Sequence, residues 1–144
     1  FFADYVAGED YIYDDSGVHG GLDDDASYVL LGDMNAGPGL GRDERPLHPA
    51  QTFLLDNDDF NSDRLPTSPG GAQRGLPTAT RFGGDFEGVV EQIDYVLPSP
   101  DLSIHGSSVV WPSKNATKRD LGADVSAASD HRLVWADIAT PPGH

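Results

Sequence analysis

Gly32-Asp33-Met34-Asn35 sets a carboxylate and an amide two positions apart, just past a short apolar run at residues 28–31. A carboxylate leaving a sheet there can take a proton from an attacking water, and the amide can hydrogen-bond a phosphate oxygen without adding negative charge. Taken alone, the pattern reads equally well as an Asx turn closing a strand. Ile93-Asp94-Tyr95-Val96 holds one carboxylate inside an apolar run, where a lone buried charge is costly and usually has a partner. The natural partner is an imidazole. His131 lies immediately before the last apolar run, and an Asp accepting from one ring nitrogen would fix its tautomer and favour the protonated ring. Asp130 adds a second carboxylate beside that ring, suited to a divalent cation or its water shell. Hard oxygen ligands of this kind point to magnesium, manganese or calcium over zinc.

The remaining candidates carry less. His19 sits in a glycine-rich stretch, His48 follows Pro46-Leu47, His105 precedes Gly106 in an expected turn, and His144 is terminal. None forms an H-E-x-x-H or similar metal spacing, and no G-x-S-x-G elbow marks a serine hydrolase. Ser129-Asp130-His131 is not a triad, because adjacent residues on an extended segment point in different directions. Asp59-x-Asn61-x-Asp63 invites a calcium-loop reading, but the calcium-hand frame needs Gly and Glu where this chain has Arg64 and Gly70, so a solvated acidic loop is expected. Gly37-Pro38-Gly39-Leu40-Gly41 lacks the spacing and the following helix of a phosphate-cradling loop.

Phe1, Phe2, Tyr5 and Val6 share one side of a helical wheel with Gly8 as a stop, so residues 1–7 read as the end of a helix. Residues 14–27 read as a solvated loop and 28–31 as a buried strand ending on Gly32. Residues 49–55 predict a short helix with Phe53 and Leu54 facing the core, and 56–76 an irregular connection. Strands are expected at 78–82 and at 92–97, the latter ended by Pro98. Further short strands are expected at 102–104 and 109–111, around a turn at Gly106, and at 133–138, with the tail at 141–144 frayed. Many short strands with few helices suggest an α+β layer fold.

Composition bounds the rest. The chain has 144 residues and no cysteine, which excludes disulfides, thiolate metal sites and thiol nucleophiles. No apolar run approaches the roughly 20 residues of a membrane-spanning helix. There are 20 Asp, 4 Glu, 7 Arg and 2 Lys, and the net charge is -15. Such a surface resembles that of salt-adapted proteins, where brine screens self-repulsion. An ordinary acidic secreted protein is the alternative, so the expected location is extracellular or periplasmic, or else the cytoplasm of a salt-accumulating halophile. Either way the field opposes a polyanion at low salt, and a small phosphoester is a more natural ligand than long duplex DNA.

In order and separation, Gly32-Asp33-Met34-Asn35, Gln92-Ile93-Asp94-Tyr95 and Ser129-Asp130-His131 resemble the C-terminal catalytic motifs of the endonuclease/exonuclease/phosphatase (DNase I-like) superfamily of metal-dependent phosphoesterases. Ala3-Asp4-Tyr5, Tyr11-Ile12-Tyr13-Asp14-Asp15, Pro66-Thr67-Ser68-Pro69-Gly70-Gly71 and Asp130-His131-Arg132-Leu133-Val134-Trp135 look like a secreted bacterial and archaeal branch, some members of which are phytase-like or alkaline-phosphatase-like. The resemblance implies a nuclease or phosphatase whose Asp33 orients or deprotonates the attacking water while Asn35 contacts the scissile phosphate. It further implies that His131 donates to a non-bridging oxygen, Asp94 orients and charges His131, and Asp130 helps place Mg2+, with Mn2+ or Ca2+ as alternatives. Met34 departs from the more usual Phe or Leu, which is a packing change only. The implied fold is a four-layer α/β/β/α sandwich, with residues 1–144 forming its C-terminal half as a mixed sheet flanked by helices. The metal-binding Glu of an N-terminal half has no counterpart here. The expected partners are therefore a phosphoester substrate, no membrane, and the missing half or a second copy of the chain. The isolated chain is then expected to hydrolyse phosphoesters poorly, and a noncatalytic half-domain acting as a binding module is the rival reading.

Overall fold

The computed structural model describes residues 1–38, 49–83, 89–116, 125 and 128–140. Over these residues the chain runs α1 (Phe2–Val6), β1 (Val29–Asp33), a π-helical turn (Gln51–Leu55), α2 (Pro69–Ala72), β2 (Arg81–Phe82), β3 (Val90–Glu91), β4 (Asp94–Pro98), β5 (Ser103–Val109) and β6 (Val134–Ala139). Small sheets and short helices make an α+β fold. The strands form three antiparallel pairs, β1 with β4, β2 with β3, and β5 with β6. A mixed sheet needs a parallel ladder, and none occurs among the described residues. No helix among them is long and apolar enough to cross a membrane.

Two apolar clusters hold the pairs in place. Ala50, Leu54, Phe60, Tyr95 and Leu97 form one, with Leu30 and Met34 packed against it, and Ala79, Val109 and Trp111 form the other. Tyr95 and Leu97 alternate inward along β4 and are almost fully buried. Removing such a side chain typically costs about 2–5 kcal/mol, against about 0–1 for an exposed ion pair, so apolar packing sets where β4 lies.

Several elements differ from the sequence reading. β1 runs on through Gly32 and Asp33, because the ladder with β4 pairs Gly32 with Tyr95 and Asp33 with Asp94. It is not a buried strand: Leu30 packs on the core, while Leu31, on the opposite face, is 66% exposed. Phe53 likewise is 56% exposed while Leu54 is buried, and Leu55 rather than Phe53 packs beside Leu54 on the cluster. The expected strand at 78–82 pairs only at Arg81 and Phe82. Pro98 lies inside β4, opposite Val29, at the last position of the ladder.

Residues 102–111 make no pair of strands around a turn. β5 is one strand, with an irregularity between Ile104 and Gly106 that absorbs His105 and lets the ladder with β6 continue. The 56–76 connection contains α2, started by the Ser68 hydroxyl, which accepts from Gly71 N at 3.0 Å, and by Pro69 in its first turn. Gly70 is required there, since a Cβ would lie 2.3 Å from the Trp111 ring. Most of the glycine stretch after Pro38, together with His48 and the tail at 141–144, lies outside the described residues.

Candidate active site

Asp94 opens β4 between buried Ile93 and Tyr95. His131 reaches it from far along the chain because its segment docks on β2. Phe82 N donates to Asp130 O at 3.0 Å, Arg132 N donates to Thr80 O at 2.8 Å, and Arg81 and His131 form an antiparallel bridge. His131 Nδ1 then lies 3.0 Å and 3.1 Å from the two Asp94 carboxylate oxygens. An ionised carboxylate only accepts, so Nδ1 carries a proton, and the contact does not use Nε2.

Asp33 closes β1 directly opposite Asp94. Two carboxylates facing each other across an antiparallel pair repel, which a cation or a proton between them relieves. One ligand atom each from Asp33, Asp94 and His131 lies within 4.8 Å of the others. The set of two carboxylates and one imidazole fits a divalent cation.

Asn35 stands beside this cluster. Its backbone N–H donates to Asp33 Oδ1 at 2.8 Å, so the Asx turn is present, and its φ of +48° is one that Asn tolerates better than most residues. Gly32 at φ +137° bends the strand into this turn. Behind it, Met34 N donates to Ile93 O at 2.8 Å and the Tyr95 hydroxyl bonds Ala36 O, also at 2.8 Å. Burial pushes the Tyr95 phenol well up, which keeps it a donor to that turn. A cavity of about 410 Å³, lined by Phe2, Met34, Ala50, Phe53 and Leu54, opens against Asp33.

Asp130 is bonded to Arg81. Arg81 Nε donates to its Oδ2 at 3.0 Å, and Arg81 Nη1 donates to Glu91 Oε2 at 2.5 Å. The Arg81 guanidinium holds the Asp130 carboxyl below its ordinary range. Asp130 is not one of the three clustered ligands. Arg81 is the neighbour that the sequence reading missed, because nothing in a single Thr-Arg step signals a partner 49 residues away. Ser129 accepts from His131 N at 3.0 Å and so shapes the turn, with no hydroxyl aimed at the ring.

Of the other histidines, His19 bonds Asp10 O and His105 lies in β5, both away from the cluster. The acidic loop turns on itself. Asn57 and Asn61 side chains accept from the N–H groups of Asp59 and Asp63, and no three-ligand group forms there among the described residues.

No curated protein and no solved structure matches the chain. The sequence model described as "Endonuclease/Exonuclease/phosphatase family" matches residues 3–131. Members of that family are in general hydrolases of phosphoesters. The match takes in all three segments that meet at Asp33, Asp94 and His131, and the chain belongs to the endonuclease/exonuclease/phosphatase family.

Proposed function

We propose that this protein hydrolyses phosphate esters by in-line attack of water at the Asp33, Asp94 and His131 cluster. The observation that carries the proposal is the meeting of those three side chains, from three distant segments, within 4.8 Å of one another. In this reading Asp33, exposed at the end of β1, orients the attacking water and takes its proton. Asn35 binds a phosphate oxygen through its amide. His131 in its imidazolium form, held through Nδ1–H by Asp94, donates from Nε2–H to a non-bridging oxygen, a contact that strengthens as charge develops on the phosphate. Asp33, with Asp130 through its water shell, would hold Mg2+, or Mn2+ or Ca2+ in its place. When bound, such a cation neutralises phosphate charge and acidifies water. Under the same reading the antiparallel pairs belong to one side of a four-layer sandwich, of which residues 1–144 are the C-terminal portion.

The net charge of -15 favours a small phosphoester over a long polyanion at low salt. The test assays the complete gene product alongside the 144-residue chain, on a phosphomonoester, a phosphodiester and single- and double-stranded DNA, with Mg2+, Mn2+ or Ca2+ after chelation. Expected is cation-dependent turnover of at least one ester that His131→Ala lowers about a hundredfold or more. Turnover that chelation and His131→Ala both leave unchanged, or none on any ester, would sink the proposal.

A further inference from the structure

Thr80 is 2% exposed and lies between the two segments that carry Asp94 and His131. Its hydroxyl oxygen accepts the N–H of Ile93 and the N–H of Asp94, each at 3.1 Å. Its carbonyl accepts the N–H of Arg132 at 2.8 Å, and its own N–H donates to Glu91 O at 2.8 Å. One buried residue therefore bonds the backbone at Asp94 on one side and the residue next to His131 on the other. A hydroxyl oxygen has two lone pairs, and here both are used by amides of the Asp94 segment.

We infer that Thr80 is a positioning residue that sets the distance and angle between Asp94 and His131, and thereby the tautomer of the imidazole. The backbone half of this link survives any substitution. The hydroxyl half does not. Valine keeps the shape of threonine but offers no acceptor, so two amide groups in a mostly buried stretch would lose their partner and the Asp94 backbone would move to find another. The 3.0 Å contact to His131 Nδ1 depends on where that backbone sits. Serine keeps the oxygen and loses only a methyl group. The kinetic part of this inference rests on the phosphoesterase reading, and the tautomer part does not.

The experiment records nitrogen-15 imidazole spectra of wild type, Thr80→Val and Thr80→Ser in the full 144-residue chain, with thermal unfolding of each. Wild type and Thr80→Ser should hold neutral His131 with the proton on Nδ1. Thr80→Val should shift it toward the Nε2–H form that free imidazole prefers, while keeping a folded spectrum. In the active enzyme Thr80→Val should lower kcat about tenfold with KM within about twofold, and Thr80→Ser should restore it. An unchanged tautomer in folded Thr80→Val would overturn the inference. So would an unfolded Thr80→Val beside a folded Thr80→Ser, because the hydroxyl would then be holding the fold as a whole. A tautomer shift without turnover in any form would sustain the role of Thr80 and count against the phosphoesterase reading alone.

Discussion

His131 Nδ1 and Asp94 Oδ2 lie 3.0 Å apart although 37 residues separate them, and the contact is made by the ring nitrogen that leaves Nε2 free. The pair acts as one unit. His131→Ala should lower turnover about a hundred- to a thousandfold with a much smaller effect on KM, since the lost donor strengthens in the transition state. Asp94→Asn should reproduce part of the loss, and the double variant should be less than additive. Steady-state kinetics of the three variants decide it; additive losses would mean that the two residues act separately.

Asp33 faces Asp94 across the β1–β4 ladder and its side chain is exposed. Asp33→Asn keeps an acceptor for Asn35 N and removes one of two opposed charges. Turnover should fall about as far as in His131→Ala, while the melting temperature stays level or rises. A melting temperature several degrees lower would show that Asp33 has a structural role.

Arg81 keeps the Asp130 carboxyl below its ordinary value of 3.8. A carboxyl with a depressed value in the folded state stabilises that state above its ordinary value, and the contribution is lost as pH falls through the depressed one. Asp130→Asn should therefore be less stable than wild type near pH 6, with the gap closing as pH falls through the depressed value. Unfolding midpoints across that range measure it. A gap that stays constant with pH would show that ionisation of Asp130 contributes nothing.

The net charge of -15 predicts a salt response. Raising NaCl from about 0.1 M to 1 M shortens the screening length from about 10 Å to about 3 Å and should raise the melting temperature. A flat or falling melting temperature would remove self-repulsion as a factor in stability and with it the case for a salt-adapted protein.

Much of this molecule is local in origin. The Asx turn at Asp33 and Asn35 forms between neighbours, the Ser68-Pro69 start of α2 is written in two adjacent residues, and the inward alternation of Tyr95 and Leu97 follows from the period of a strand. The three chemical motifs are likewise contiguous, so their residue types could be read directly. The tertiary structure alone decided how they face one another. That Asp33 opposes Asp94 depends on a ladder register between segments some sixty residues apart. That Asp130 turns to Arg81, and that Thr80 joins both sides of the Asp94 and His131 pair, depends on the 129–132 segment docking beside β2. The exposure of Leu31 and Phe53 and the continuity of β5 past His105 have the same origin. Each is fixed by pairing and packing between distant segments, and the free energy of such contacts has no trace in the residues on either side of them in sequence.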